Sequence, residues 1–287
     1  GDVVKYFKRT GANTWDSGTV IPSPANHINF CYDREPLFRG DKLFIGSRYD
    51  AGSGYKENVN IYTFSGGSFT LDVTVDVSAD SGESTISNMG PYDFDPVSGI
   101  LGLGSVSSVF IYENTVGTTW VYRTKVTKPG TQYGTGLCVT GDWVIVGDYD
   151  LEVSSNFRQG RVYLHKRSGN TWPEDSTLNT PSPGTAYFGL RVHCNGDYLL
   201  ISETQRDLIR TYHWTGSAWN YDGQLTDGDK FGNTVDMDSG DWFVTSNSAT
   251  EGKLYERSGN SWVLNKTITH PDADTTHSYA IDSEKQL

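Results

Sequence analysis

Asp148, Asp150 and Glu152 alternate along the chain as oxygen ligands do in a calcium loop. Asp93 with Asp95, and Asp236 with Asp238, are shorter versions of the same spacing. None has the glycine and distal carboxylate that complete such a loop. Calcium at Asp148, Asp150 and Glu152 is the one metal expectation, and no other cofactor is indicated. His27, His165, His193, His213, His270 and His277 show no zinc-ligand spacing. His193 adjoins Cys194, but neighbours on a strand point to opposite faces. No nucleophile elbow, phosphate loop or dinucleotide fingerprint occurs. The expectation is a non-enzyme. Asn265-Lys266-Thr267 is the sole N-glycosylation sequon and agrees with secretion.

The chain has 287 residues, with 23 Lys and Arg against 35 Asp and Glu, a net charge of −12. That balance argues against nucleic acid or an anionic membrane as partner. No apolar run reaches the roughly 18 residues of a membrane span, so membrane insertion is not expected. Starting at Gly1-Asp2, the sequence reads as a mature form or a segment of a longer chain. Aromatics make up 13% and glycine numbers 32, a mix that favours strands and tight turns over helices. Cys31, Cys138 and Cys194 form an odd set that allows at most one bridge. All three lie near strands inside the domain, so they read as buried thiols.

These elements repeat. A glycine turn followed by an aromatic recurs at Trp15, Phe69, Trp120, Trp172, Trp219 and Trp262. Between them, Gly-Asp opens a short apolar strand at Gly40-Asp41, Gly141-Asp142, Gly196-Asp197 and Gly240-Asp241, with a degenerate copy at Ser98–Gly104. A third signature precedes it: Tyr133-Gly134, Phe188-Gly189 and Phe231-Gly232, each followed three residues on by Leu137, Val192 or Val235. Each period thus holds four strands, A to D, joined by hairpins. A period of about 45–50 residues of this kind predicts the blade of a β-propeller. The expected fold is all-β, a propeller of four-stranded antiparallel blades over residues 1–287. Six blades are expected, or seven if the chain is a segment. The sixth would join a C-terminal strand, His277–Ile281, to N-terminal strands C and D. The repeated tryptophans read as packing between blades.

The Phe-Gly, Gly-Asp-x-Leu-x-Val-Gly and Val-Tyr-x-x-x-Arg-x-Gly-x-x-Trp pattern resembles the FG-GAP repeats of integrin-α-like propellers. It is closest to the bacterial and protist surface-protein version, and the resemblance spans essentially the whole chain. It departs from that family in having no intact Asp-x-Asp-x-Asp-Gly calcium loop. The A–B and C–D turns are short, whereas the B–C and D–A loops on the opposite rim are longer and irregular. Binding residues concentrate in such loops. The candidate rim is Arg48, Tyr49, Asp50, Tyr55, Asp148, Tyr149, Asp150, Phe157 and Arg158. Arg39-Gly40-Asp41 spells an integrin-binding tripeptide, but its Gly-Asp is the repeat's own turn, leaving Arg39 incidental.

The resulting expectation is a non-catalytic, extracellular or cell-surface recognition and assembly module. Its partner would be another protein, or further copies within a larger surface structure or filament. The alternative is a freestanding, lectin-like carbohydrate-binding propeller. The unlike loops favour a single asymmetric surface over repeated glycan sites.

Overall fold

The computed structural model describes residues 4–11, 14–28, 30, 36–50, 55–82, 90–128, 132–228, 231–238, 240–246 and 251–269. The chain is an all-β propeller built from antiparallel blades of the predicted A-B-C-D order. Four blades are plain four-stranded meanders. The second comprises Tyr92–Asp95, Ile100–Gly104, Ser108–Val116 and Thr119–Thr127. The third comprises Gly136–Thr140, Trp143–Asp148, Arg161–Lys166 and Glu174–Asn179. The fourth runs from Phe188–Asn195 through Tyr198–Glu203 and Leu208–Trp214 to Trp219–Thr226. The fifth runs from Val235–Asp238 through Trp242–Ser246 and Glu251–Ser258 to Ser261–Thr269.

The first blade has a divided inner strand. His27–Ile28 and Leu37–Arg39 both pair with Lys42–Asp50, towards its opposite ends. Tyr55–Ser65 and Ser68–Asp76 complete that blade. N-terminal to it, Val4–Tyr6 pairs with Thr19–Ile21, and Arg9–Gly11 with Thr14–Trp15. These fall where the sequence places strands C and D of the sixth blade. Tyr6 packs edge-on against Phe64 and Phe69 of the first blade. The predicted strand His277–Ile281 lies outside the described residues.

Strand B explains the packing. In the third blade, Trp143–Asp148 is buried along its whole length, because both of its faces are covered. Successive side chains point to opposite faces. Accordingly Ile145 joins a core shared with the fourth blade, containing Val192, Leu199 and Ile201. Val144 and Val146 join a core shared with the second blade, containing Ile100, Val109 and Ile111. Corresponding cores lie between the first and second blades and between the fourth and fifth.

The tryptophans mostly behave as expected. Trp172, Trp219 and Trp262 are buried, and half-buried Trp120 packs against Phe44 on strand B of the first blade and Phe94 on the inner strand of its own blade. Trp15 differs, at 60% exposed. Trp172, 2% exposed, fills the core between the second and third blades. Trp172→Ala should therefore destabilise by about 3–5 kcal/mol. Urea midpoints would measure this, and a near-neutral result would contradict the packing role.

The repeated turns have a common cause. Gly40, Gly141, Gly196 and Gly240 all adopt left-handed φ values between 53° and 73°. The following aspartate accepts, through its main-chain carbonyl, the N–H ending strand C. Phe64, Arg167, Trp214 and Arg257 donate to Asp41, Asp142, Asp197 and Asp241 at 2.7–2.8 Å. The expected buried thiols are corrected: Cys138 and Cys194 form a disulfide between the inner strands of the third and fourth blades. Closing a loop with a sequence separation of 56 residues contributes about 4 kcal/mol in the chain-entropy account. Cys31 lies outside the described residues.

Candidate functional site

The inner strands put one residue of each blade at a common level. Asp93, Cys138, His193 and Asp236 pair with Gly102, Ile145, Leu200 and Val244 of their respective strands B. Each stands two residues before the last pair of its A–B hairpin, so the four share one height around the axis. Arg39 comes from the last pair of the first blade, opposite Lys42. Its guanidinium reaches the Asp236 carboxylate of the fifth blade at 2.8 Å, across 197 residues of sequence. Arg39 is thus not incidental. It links blades that are far apart in the chain.

Electrostatics ties the group together. Burial pushes the Asp93 carboxyl up to about 6. Arg39 and the N–H groups of Val139 and Phe94 oppose that rise, while Asp236 adds to it. The Val139 bond is direct, its N–H lying 2.6 Å from Asp93 Oδ2. Burial pushes His193 down to about 4; Asp236 opposes, and Arg39 and Arg191 contribute. Burial disfavours the charge on Arg39, but Asp236, Asp93 and Asp238 more than offset it, and its pKa is raised. Each of these side chains is half-buried. At neutral pH the cluster presents a carboxylate of raised basicity, a neutral imidazole and a fixed cation. This arrangement suits general acid–base chemistry beside an electrophilic group.

The two shifts oppose each other in stability. Asp93 binds its proton more tightly when folded than at its ordinary value of 3.8. Its contribution is fully present below 3.8 and is lost as pH rises through about 6. His193 has a folded value below its ordinary 6.5, so its contribution is present above 6.5 and is lost as pH falls through about 4. Between these limits the two cancel. Relative to wild type, Asp93→Asn should lose roughly 3 kcal/mol on acidification across this window, and His193→Gln roughly 3 kcal/mol on alkalinisation. Denaturant midpoints at three pH values test this. Parallel curves for all three proteins would contradict the assigned environments.

The rim residues form two separate groups. Arg48 pairs with Glu57 at 2.8 Å, and Tyr49 lies beside His27. Asp50 opposes Tyr55 in register, and the side chains of both lie outside the described residues. Asp148 is fully buried and accepts the Gln132 N–H at 3.2 Å. Tyr149 meets Tyr187 edge-on. Arg158 lies over the Phe157 ring, donates to the Tyr187 hydroxyl at 3.0 Å, and pairs with Asp150 at 2.5 Å. Phe157 is 60% exposed.

The calcium expectation is not met by this arrangement. Asp150 is held by Arg158, Glu152 is exposed, and no group of three or more metal-ligating side chains gathers among the described residues. Asn265 is exposed on the outer strand of the fifth blade, where its amide donates to Glu256.

Asp93 and Asp236 are matched acids of the inner strands, and register was the available signal for them. Extending the Phe-Gly alignment by one residue past Leu137, Val192 and Val235 gives Cys138, His193 and Asp236. The column beside an apolar position thus holds a cysteine, a histidine and an aspartate in successive blades.

No family model and no curated protein matches the chain. Solved structures do share its fold. A candidate 6-phosphogluconolactonase of Bacteroides fragilis NCTC 9343 is 11% identical, with a TM-score of 0.56 over 82% of this chain and 69% of that one. A periplasmic gluconolactonase of Pseudomonas aeruginosa is 13% identical, with a TM-score of 0.52 over 84% and 69%. A functionally unknown protein of Desulfotomaculum acetoxidans DSM 771 is 11% identical, with a TM-score of 0.60 over 98% and 81%. At these identities the likeness shows the fold. It overturns the expectation of a non-catalytic adhesion or lectin-like module, because propellers named for lactone hydrolysis share this architecture. The non-enzyme expectation loses its support with it. No helix is long and apolar enough to cross a membrane among the described residues. The chain is a β-propeller.

Proposed function

We propose that this propeller is a hydrolase of small lactones or related esters, acting at its inner strands. One observation carries the reading: Arg39, Asp93, His193 and Asp236, from four different blades, form a single electrostatic cluster around the axis. Support for the lactone as substrate comes from the names of the propellers that share the fold.

The chemistry follows from the charges. Asp93, ionised at neutral pH, accepts a proton from water as the water oxygen bonds to the lactone carbonyl carbon. The carbonyl oxygen becomes an oxyanion and is stabilised by the Arg39 guanidinium. Asp236 holds that guanidinium in place. The ring C–O bond then breaks, and the proton on Asp93 passes to the leaving alkoxide, giving the hydroxy acid. His193, kept neutral by burial, completes the polar wall without adding a competing charge.

The test is release of acid from a gluconolactone, followed in a pH-stat. Wild type should exceed the buffer rate with saturation kinetics. Arg39→Met should lose about 10²–10³-fold, as removal of an oxyanion donor does. Full activity in Arg39→Met would sink the reading.

Two further parts belong to this proposal. The FG-GAP-like origin of the blades is supported by the way Gly189 seats against Gly147, and Phe188 against Gly160, of the preceding blade. A location outside the reducing cytosol is supported by the Cys138–Cys194 disulfide and the exposed sequon at Asn265.

A further inference from the structure

The disulfide sits beside the cluster on both of its strands. Cys138 precedes Val139, whose N–H holds the Asp93 carboxylate at 2.6 Å. Cys194 follows His193 directly. The bridge brings these two inner strands to a Cα–Cα distance of 5.7 Å. Elsewhere the same two blades are joined by different means. Near the far end, Gly189 of the fourth blade lies against the glycines Gly136 and Gly147 of the third. At the hairpin end, Thr140 Oγ1 donates to the Gly196 carbonyl at 3.1 Å. Between those points, at the level of Asp93 and His193, the covalent link is the disulfide. Cys138 is buried, whereas Cys194 is half-buried, so the bridge can be approached from the Cys194 side.

We propose that the Cys138–Cys194 disulfide is a positioning brace for the inner-strand cluster, and that a dithiol reductant loosens the cluster while the blades stay folded. The step is an ordinary exchange. The S–S bond breaks, Cys138 and Cys194 each gain a hydrogen, and the dithiol is oxidised to its own disulfide. Two electrons and two protons move. With the brace cut, the inner strands of the third and fourth blades part at this level. Water then reaches the space between Asp93, Val139 and His193. Asp93 faces Arg39, Asp236 and the Val139 N–H, and burial is the largest influence on it. Admitting water therefore returns its ionisation towards the ordinary value. As a control of catalysis this rests on the hydrolase reading. As a brace it stands on the geometry, and the test separates the two.

The experiment is a carboxyl-carbon NMR titration of Asp93 in the full chain, oxidised and then reduced with dithiothreitol. Thiol labelling confirms reduction, and far-UV circular dichroism reports the fold. The oxidised protein should titrate near 6, the reduced protein nearer 3.8, with recovery on reoxidation. The Cys138→Ala/Cys194→Ala variant should match the reduced form without any reductant present. An unchanged midpoint in the reduced, folded protein overturns the brace. Loss of the strand signal on reduction overturns it too, because the bridge would then be holding the fold and not the site. Lactone hydrolysis measured in parallel should fall at least tenfold on reduction. A shifted midpoint with no hydrolysis in either state sinks the hydrolase reading and upholds the brace.

Discussion

Gly147→Ala should destabilise the protein by about 3 kcal/mol or more, a large effect for a single methyl group. Gly147 is the penultimate residue of strand B in the third blade. A Cβ there would lie 1.9 Å from the Gly189 carbonyl oxygen and 2.8 Å from its carbon. Both obstacles are backbone, so neither can swing aside as the end of a side chain could. The third blade must move off the fourth, opening the core that holds Ile145, Val192 and Ile201. Gly141→Ala is the comparison. Gly141 has nothing within 4 Å of the added atom but a φ of +53°, so its cost is backbone strain of about 1 kcal/mol. Urea unfolding at matched m-values separates the two. Equal losses at the two positions would mean that blade contact at Gly147 is not what sets the stability of the ring.

Asp93→Asn should lower turnover on a gluconolactone by about 10²–10⁴-fold, the range for removing a positioned general base. The amide keeps the shape of the carboxylate and can still accept the Val139 N–H. What it lacks is a site for the proton taken from water. The loss should therefore fall on kcat, with KM little changed. The residual rate should no longer rise through pH 6, since the group with that value is gone. A variant with unchanged kcat would remove Asp93 from the chemistry and leave it a tie between blades.

The fold was legible because a propeller repeats its physics. Each blade needs a left-handed turn residue, a doubly covered strand B and a large ring against its neighbour. Hence Gly-Asp, a short apolar strand and an aromatic recur in order. The candidate site was much less legible. Its residues are mostly unrepeated: Arg39 occurs in one blade and His193 in another, and an aspartate at this level recurs in two more, as Asp93 and Asp236. A reading trained on repetition passes over the positions where the repeat breaks. Arg39 was hidden further by belonging to Arg39-Gly40-Asp41, where attention falls on the tripeptide. Its partner Asp236 is adjacent only once the fifth blade has come round to the first. The disulfide was missed for a similar reason, since Cys138 and Cys194 come from different repeats one register step apart. Trp15 shows the converse. It carries the blade signature yet stays exposed, so a repeated residue type did not guarantee a repeated environment.

The most direct test of the inner-strand site is the pH dependence of kcat/KM for gluconolactone hydrolysis by the wild-type chain, corrected for the buffer rate. The account predicts a rate that rises with pH through an inflection near 6, as Asp93 ionises beside Arg39, and then levels. A corrected rate of zero across that range, or a real rate with no inflection there, would contradict it.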